Sequence, residues 1–586
     1  MKKIYLIIFL SAGLLFSACN DIIETADDGR LTYDQIFKDL NLTGGYLNQC
    51  YSYIPPTGMG YSNSSFLTIY SDEAHDADAV QGGNSANYYN GTATSLNNPI
   101  DAAGNGNTYN DMYNGIRKCN VFIDNIDKAT FEPASYKTKY KAEAYTLRAF
   151  YFWHLIKRMG PLPIIKHDLP SDFDYSKLTR PTFYECVKAI LQDCDSAIAQ
   201  PGFTWRLNTE NTRGSMTKSV AVAIKSQAML FAASPQWNNS NDVWQEALKV
   251  TKAALDSLEN NGYALYNPND AVPTVKAFSD YQRFFLLNPD MKEIPVDKET
   301  IYAQKGQVGA VWQQNGLPFV VDVIKAGASP SQELVDAYET VNGMPILNPE
   351  DPYLDANHLI PNYNTANTQY NPEKPYENRD TRLLSSIYCN GVNLNLKTNT
   401  LPVWTYVGGN AGISQTDRRF TRTGYYLRKF VDFTSTKTAN KDGYWRYYRL
   451  AEMYLNYAEA EFHVNGVTSN AVAALNKTRI RAGLPQLTTA ISVAEFEQRL
   501  RNERRVEFAF EEHRYFDVRR WKIQSKTEGL VTGMSIEDKG AGEFAFSRIV
   551  VSSRPVIAEK YNLWPIPYNE ELKFKNIGVN FQNPGW

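Results

Sequence analysis

Apolar residues recur at steps of three and four positions over much of the chain, which is the spacing of one face of an α-helix. In the first half, Pro, Gly and Asn separate these stretches and mark helix ends. The stretches cover residues 32–53, 109–128 and 135–159, and further ones begin near Pro181, Thr217 and Asn241. Neighbouring helices joined by short turns predict TPR-like helical hairpins, although no strict repeat length can be extracted.

Two regions interrupt the helical pattern. Residues 61–111 are rich in Asn, Gly, Ser and Tyr, and long loops of this kind commonly carry function. Residues 267–441 mix Pro, Gly, Asn and aromatics with short strand-like runs, ETIYAQ and GYYLRKFVD. Helical patterns resume in YWRYYRLAEMYLNYAEAEFHVNG, SNAVAALNKTRIRAG and VAEFEQRLRNERRVEFAFEEHRYFDVRRWK, followed by a loop-like tail with one short helix.

These patterns predict a mainly α fold, an α-α superhelix of TPR-like hairpins supporting a loop-rich face with a few short strands. We expect one domain over residues 19–586. Within it, residues 19–266 form N-terminal helices that carry a binding loop at 61–111. Residues 267–441 form a loop-rich insertion, and residues 442–586 form C-terminal helices and a tail.

The first residues have the pattern of a targeting segment. Lys2 and Lys3 precede a mostly apolar run over residues 4–16, which is too short to span a bilayer. Ser17 and Ala18 then precede Cys19, as in a bacterial lipoprotein cleavage site. The prediction is a signal peptide over residues 1–18 and a Cys19 carrying acyl chains such as palmitate, which would hold the chain on a membrane surface. A plain secretory signal with an incidental cysteine is the alternative.

Composition narrows the classes of function. The chain has 586 residues and a net charge of −3, so no overall field draws it to nucleic acid. Its 38 tyrosines suggest recognition surfaces as well as core, because tyrosine has an apolar face and a polar tip. The cysteines after Cys19 lack CxxC spacing and are interpreted as buried free thiols. They are Cys50, Cys119, Cys186, Cys194 and Cys389.

One segment, FEEHRYFDVRRW (residues 510–521), concentrates the residue types of an acid–base active site. Glutamates recur every four positions from just before this segment into it, and two arginines lie three positions from a glutamate, as in ion pairs on a helix face. These residues are Glu503, Glu507 and Glu511 with Arg504 and Arg514. His513 falls on the apolar stripe, where a hydrogen-bonded core histidine is favoured over a base. The segment is therefore interpreted as part of one long helix that arginines brace against its neighbours.

Other signals for an enzyme are absent from the sequence. The six histidines show no HExxH spacing, and no GxSxG elbow, P-loop or GxGxxG is present. The prediction is a protein without catalytic residues. Because carboxylates are abundant, a glycosidase-like acid pair stays open at the level of sequence.

Several segments together resemble the SusD/RagB family and occur in that family's order. They are AEAYTLRAFYFWHLIKRMGPLPII, SPSQELVDAYETVNG, YENRDTRLLSSI, YRLAEMYLNYAEAEF, LNKTRIRAGLP, LRNERRVEFAFEEHRYFDVRRWK and LWPIPYNEE with NFQNPGW. The resemblance implies a surface-exposed, lipid-anchored outer-membrane protein that binds a glycan or another nutrient. It also implies delivery of that ligand to a SusC-like, TonB-dependent transporter, without catalysis. The alternative is a lipidated TPR-type scaffold that binds a peptide or protein.

Candidate ligand-binding residues follow from what a sugar needs, which is aromatic faces for stacking and polar groups for its hydroxyls. The loop at 61–111 offers Tyr88, Tyr89 and Asn90, together with Asp72. The insertion offers Trp312 with Gln313, and also Trp404. The resemblance places the binding loops in these two regions without specifying their residues.

The acidic run Asp72, Glu73, Asp76 and Asp78 offers oxygen ligands for a structural calcium ion, because hard cations bind clustered oxygens. The run departs from the EF-hand pattern, with Val80 and Asn87 where ligands are needed. A solvated acidic loop, or loop hydrogen bonds, is the favoured interpretation. No cofactor is predicted.

Overall fold

The computed structural model describes residues 31–55, 67–82, 85–100, 108–205, 214–238, 241–266, 280–286, 297–306, 318, 325–395, 400–431, 443–555 and 558–586. Within these residues the fold is mainly helical, as the sequence predicts. One large hydrophobic cluster runs from Phe37 to Ile566, so N-terminal and C-terminal segments share a core. No helix of the described part is long and apolar enough to cross a membrane.

The helices lie in the following positions. They are α1 (Tyr33–Lys38), α2 (Leu40–Tyr51), α3 (Ser85–Tyr89), α4 (Thr108–Ile126), α5 (Ser135–Met159), α6 (Phe183–Ile198), α7 (Lys218–Ala233), α8 (Asn241–Asn260), α9 (Asp280–Leu286), α10 (Gln332–Ala337), α11 (Thr381–Ser386), α12 (Leu450–Asn465), α13 (Ser469–Arg481), α14 (Val493–Glu507), α15 (His513–Arg520), α16 (Gln524–Thr527), α17 (Ala558–Tyr561) and α18 (Tyr568–Asn576). Short 3₁₀ turns occupy Leu67–Tyr70, Ala77–Gln81 and Tyr175–Lys177.

The strands form antiparallel pairs. They are β1 (Ala74–Asp76), β2 (Thr300–Gly306), β3 (Ala328–Pro330), β4 (Ile387–Tyr388), β5 (Val392–Asn395), β6 (Thr400–Val403), β7 (Tyr426–Leu427), β8 (Gly443–Arg449), β9 (Leu530–Gly540) and β10 (Glu543–Ser553). In the described residues β1 pairs with β3, β2 with β8, β4 with β7, β5 with β6 and β9 with β10.

Helices α4 to α8 pack in series, each against the next, and α12 and α13 extend the row from α8. The sequence favours this packing by local means. Helix α6 begins with a capping box, in which Thr182 and Glu185 satisfy each other's backbone N–H groups. Helices α4 and α5 touch closely at Gly115, where a Cβ would lie 2.6 Å from the ring of Tyr151. The predicted helical scaffold is therefore confirmed.

The aromatic run before α12 is a strand, although the sequence pattern assigned it to a helix. Residues 443–449 form β8, which pairs with β2 from Thr300 to Gly306. The helix starts only at Leu450, after Arg449 in an extended conformation. Aromatic residues favour a pleated surface as much as a helix, so propensity could not separate the two states here.

The predicted single long helix near the C-terminus is wrong, because it is two helices with a tight turn between them. Helix α14 ends at Glu507 and α15 begins at His513, with Phe510 and Glu512 at φ of 65° and 67°. Such positive φ values interrupt a right-handed helix. The turn is fixed from outside, since Lys429 Nζ donates to the carbonyls of Glu507 and Ala509, at 3.3 and 2.9 Å.

The hairpin of β9 and β10 was not predicted. It spans residues 530–553, and its turn places Gly540, Ala541 and Gly542 at positive φ. The signal was present in LVTGMSIEDKGAGEFAFSRIVVSS, where two β-rich runs flank a glycine-rich turn. Helical landmarks on both sides led to its assignment to the C-terminal helices and tail.

All five cysteines of the described residues are buried with free thiols, as predicted.

Candidate functional site

A cleft of about 740 Å³ lies between residues 333–364 on one side and α14, α15 and α16 on the other. We refer to it below as the cleft. Its volume lies within the range of small-molecule sites. Apolar residues from 344–352 line part of one wall, and charged and amide side chains line the rest. Of the candidate residues that the structure describes, only Asp72 contributes to this lining.

The wall formed by residues 333–364 carries carboxylates that are held in place. Asp336 accepts two hydrogen bonds from Arg548, at 2.7 and 2.9 Å. Glu333 accepts from the Thr532 hydroxyl at 2.6 Å and lies 3.1 Å from Nδ1 of His358. Guanidinium, hydroxyl and imidazole groups thus hold these acids as oriented acceptors in the cleft, and Arg548 compensates the charge of Asp336.

The opposite wall carries cations. Arg499 donates to Glu339 at 2.6 Å and to the carbonyl of Gly343 at 2.9 Å, which ties α14 to the acidic wall. Exposed side chains on the same wall include Gln498 and Lys526. The two walls therefore offer donors and acceptors in close array, a chemistry suited to a hydroxyl-rich ligand.

Asp72 sits at the base of this basic wall, and only 2% of it is exposed. Arg514 donates two hydrogen bonds of 2.9 and 2.8 Å to the Asp72 carboxylate, and a guanidinium nitrogen of Arg505 lies 2.9 Å from one of its oxygens. Burial alone would raise the pKa of Asp72, but the two guanidinium groups lower it to about 2. Asp72 therefore anchors the two arginines and has little capacity left for a ligand.

Glu73 lies directly behind Asp72 in a different electrostatic state. It is 1% exposed, and its Oε1 has no hydrogen-bond partner, the Nε of Arg505 being 3.9 Å away. Burial raises the pKa of Glu73 to about 8, with the neighbouring Asp72 charge acting in the same direction. The side chain is therefore protonated at neutral pH.

Aromatic surface in the cleft is limited. Tyr353 stacks on His358 with ring centroids 3.9 Å apart and an angle of 14°, and Arg548 covers the ring at 5.6 Å. Its hydroxyl donates to Asp336 at 3.1 Å. With these neighbours, Tyr353 orients the acidic wall and leaves little ring face for a sugar.

The expected stacking platform at Tyr88 and Tyr89 is not found, because the two side chains are only 4% and 6% exposed. Tyr88 stacks on Tyr561 at 4.2 Å and receives a hydrogen bond from Arg519, while Tyr89 donates to the carbonyl of Ile69. The ring of Tyr88 thus joins the loop to the C-terminal helices. The sequence pattern could not show this, since Arg519 and Tyr561 lie more than 400 residues from Tyr88. Asn90, next to them, is exposed.

Trp404 is half-buried in a cluster of three aromatic rings. Its ring centroid lies 5.9 Å from that of Tyr406 and 6.0 Å from that of Phe544 on β10. Gly391 packs against the Trp404 ring, where a Cβ would come within 3.2 Å. Trp312, Gln313 and Cys19 lie outside the described residues, as does the signal peptide.

The bracing network predicted around α14 is present, and most of its buried pairs run between elements, although Arg520 also pairs with Asp517 on the same helix. Arg504 pairs with Asp517 on α15 and Arg514 with Asp72, so neither pairs with a glutamate on its own helix face. The buried members include Glu299, Asp380, Glu503, Glu507 and Glu511 with Arg382, Lys429, Arg449, Arg479 and Arg481. Every acid faces at least one cation, so the cluster is structural.

His513 does not have the environment of a general base. Its ring stacks on Phe508 at 4.3 Å, and burial lowers its pKa well below the ordinary value. Asp76 accepts from Ser85, and Asp78 pairs with Arg418 and Lys325, which accounts for the acidic run. Among the described residues no group of three or more His, Cys, Asp or Glu side chains could hold a metal ion.

Comparison with known proteins identifies the class. Residues 321–586 match the SusD family, and residues 46–230 match the family described as starch-binding associating with outer membrane. The two matches fall in consecutive parts of the chain and both are of the SusD type. The chain belongs to the SusD/RagB family.

Solved structures share the fold over nearly the whole chain. A SusD-like protein from Bacteroides fragilis is 23% identical with a TM-score of 0.75, covering 96% of this chain and 99% of its own. A SusD-like carbohydrate binding protein from the same species is 21% identical, with a TM-score of 0.70 and coverages of 92% and 99%. A laminarin binding SusD-like protein is 18% identical, with a TM-score of 0.56 and coverages of 94% and 100%. No protein with a curated description matches.

Proposed function

We propose that this protein binds a glycan at the cell surface and delivers it to a SusC-like, TonB-dependent transporter of the outer membrane. It acts without catalysis and is held in the membrane by acyl chains on Cys19. The observation that carries the proposal is the match of residues 46–230 to a family described as starch-binding associating with outer membrane. The laminarin binding SusD-like protein with the same fold supports a glycan as the ligand class.

The chemistry of the cleft supports capture of a glycan. A sugar presents many hydroxyls, each both donor and acceptor, and desolvating one without a partner costs roughly 1–3 kcal/mol. Carboxylates and guanidinium groups that are already paired, such as Asp336 and Arg499, can receive those hydroxyls with little rearrangement. Of the candidate residues, Asn90, Trp312, Gln313 and Trp404 remain proposed contacts, whereas Asp72 holds Arg505 and Arg514 of the cleft wall and Tyr88 and Tyr89 are buried packing residues.

Non-catalytic action is consistent with the state of the acids lining the cleft. A glycosidase needs one carboxyl group that donates a proton and a second that attacks or activates water. Glu333, Asp336 and Glu339, three of the acids that line the cleft, each accept hydrogen bonds or ion pairs from a fixed partner. This fixed pairing supports capture without cleavage as the proposal.

The test uses the lipid-free chain from residue 20 onward against a panel of plant, fungal and host glycans. We expect retardation in affinity gels or heat on titration with one class, and no released sugar on prolonged incubation. Release of product would contradict non-catalytic capture. Binding of peptides with no glycan bound would favour the scaffold alternative.

The transporter partnership needs a separate experiment. Full-length protein with its signal peptide, expressed in its native membrane and purified through a C-terminal tag, should bring down a large outer-membrane barrel. The Cys19→Ala variant should leave the membrane fraction. Purification of the intact lipoprotein without such a barrel would contradict the partnership.

A further inference from the structure

Behind the basic wall of the cleft, two buried polar atoms face each other without a hydrogen bond. Oε1 of Glu73 and Nε of Arg505 lie 3.9 Å apart, which is beyond hydrogen-bond reach. Within the described residues neither atom has another hydrogen-bond partner. Buried polar atoms are nearly always paired, so two that face each other unpaired are unusual. A short movement of either side chain would join them.

Arg505 connects this pair to the cleft. Its side chain lines the cleft and is 13% exposed. Its Nη2 lies 2.9 Å from the carboxylate of Asp72, which is itself fixed by two hydrogen bonds from Arg514. Arg505 therefore lies between a fixed, ionised carboxylate at the cleft and a second acid behind it.

The main chain of Glu73 is fixed on both sides. Its N–H donates to Oγ of Ser71 at 3.3 Å, and its carbonyl accepts from the N–H of Ser331 at 2.8 Å. Arginine, in contrast, has a long side chain with many rotamers. A change in the charge of Glu73 therefore acts mainly on the position of the Arg505 guanidinium.

The charge of Glu73 depends on its buried surroundings. The charged and titratable groups that face it are Asp72 beside it, Arg505 on α14, Arg514 on α15, Lys429 after β7 and the hydroxyl of Tyr338 after α10. Burial raises the pKa of Glu73 to about 8 against the effect of the cations. Glu73 is therefore neutral at pH 7, when it does not compete with Asp72 for Arg505, and it ionises in mildly alkaline solution.

We propose that Glu73 is a positioning residue for glycan binding, which leaves Arg505 at the cleft wall when neutral and draws it away from the cleft when ionised. Glu73 does not touch the glycan and acts only through Arg505. This inference rests on the proposed function and adds a control of binding by pH. The cleft loses a well-placed donor in alkaline solution, so affinity falls there.

The test is titration calorimetry from pH 6.5 to pH 9.5 with the member of the glycan panel that binds at pH 7. Glu73→Gln keeps the shape of neutral glutamic acid at every pH. Glu537→Gln removes a carboxylate that is 69% exposed and does not line the cleft, and it is the matched control. Each protein is compared with its own affinity at pH 7, and circular dichroism confirms the fold at each pH.

Lys429 needs separate attention, because burial lowers its pKa to about 8 and it loses its charge in the same range. Glu73→Gln retains Lys429. The difference between the pH profiles of the wild type and Glu73→Gln therefore isolates the contribution of Glu73.

We expect the wild-type affinity to fall above pH 8, by up to about tenfold per pH unit if only the form with neutral Glu73 binds. Glu537→Gln should follow the wild type, whereas Glu73→Gln should hold its pH 7 affinity up to pH 9.5. Infrared difference spectra between wild type and Glu73→Gln should show the band of a neutral carboxyl group, which disappears as the pH rises through 8.

Two results would overturn the inference while leaving the proposed function standing. One is a constant wild-type affinity up to pH 9.5, and the other is a parallel loss of affinity in the wild type and Glu73→Gln. If the wild type binds no glycan at pH 7, the proposed function itself fails, and the positioning role fails with it.

Discussion

Lys429 is the side chain on which the turn between α14 and α15 depends. It is fully buried, and its ammonium donates to Glu511 at 2.6 Å and to the carbonyl of Ala509 at 2.9 Å. Burial lowers its pKa to about 8, partly offset by the Glu511 charge, so it is mostly protonated at pH 7. We predict that Lys429→Met destabilises the protein strongly, although methionine fills the same volume.

The magnitude follows from the groups left behind. Removing one partner of a buried ion pair costs roughly 3–5 kcal/mol. Arg449 still holds Glu511, at 2.7 and 2.8 Å, which places the expected loss near the lower bound. The unpaired carbonyl of Ala509 adds roughly 1–3 kcal/mol. A loss of about 4–6 kcal/mol in the free energy of unfolding is therefore expected.

Urea unfolding at pH 7, followed by circular dichroism and tryptophan fluorescence, measures this loss. Hydrogen exchange should also become faster across residues 505–515. Lys539→Met is the matched control, since Lys539 is half exposed and pairs only with exposed Glu537, and it should change stability by less than about 0.5 kcal/mol. The double variant with Glu511→Gln should recover part of the loss, because both charges are then gone. A loss below about 1 kcal/mol in Lys429→Met with an unchanged m-value would refute the reasoning.

Three further predictions concern stability and pH. The pKa of Glu73 is about 8 in the folded protein, against 4.5 for an ordinary glutamate. Its contribution to the free energy of unfolding is therefore fully present below pH 4.5 and is lost as the pH rises to 8. Glu73→Gln lacks this loss, and its stability relative to wild type should rise by roughly 3–5 kcal/mol between pH 4.5 and 8; a pH-independent difference would disprove the raised pKa. Asp72, with a pKa lowered from 3.8 to about 2, stabilises above pH 3.8 and loses this effect as pH falls through 2. Its advantage over Asp72→Asn should therefore shrink by about 2 kcal/mol in acid unfolding between pH 4 and 2. Gly115→Leu should lower the melting temperature by several degrees, because its side chain would meet the Tyr151 ring between α4 and α5; Gly45→Leu, with open space around it, is the control.

Some helices could be predicted from the sequence because their capping residues and apolar spacing lie close together in the chain. Helix α6 could be predicted because its cap, Thr182 with Glu185, and its apolar spacing lie within one short window. The same holds for α5, which Gly160 caps at its C-terminus, and for α7, which Thr217 caps at its N-terminus. Such elements are specified by neighbours in the chain, so periodicity and capping residues identify them.

Elements fixed by distant partners could not be predicted in this way. The turn at Phe510 exists because Lys429 and Arg449 bind the carbonyls of α14, and their sequence separation hides this from any local pattern. Tyr88 and Tyr89 have the composition of a sugar platform, but Arg519 and Tyr561 bury one of them and Arg554 covers the other. Composition identifies aromatic residues, and only packing decides whether their faces reach solvent.

The ion pair of Asp72 with Arg514 joins residues 442 positions apart in the chain. During synthesis the segment around Asp72 is complete long before Arg514 has been made. Until the arginines are present, no cation compensates the cost of burying the Asp72 carboxylate. Contacts between residues this far apart slow folding, because the chain loses the entropy of closing the loop before the contact contributes any stabilising free energy. The final native docking must therefore wait for the C-terminal helices, and a chain cut short of α14, which carries Arg505, would retain Asp72 without either of its cations. Native packing around Asp72 is therefore complete only in a chain that has been synthesised as far as the C-terminal helices.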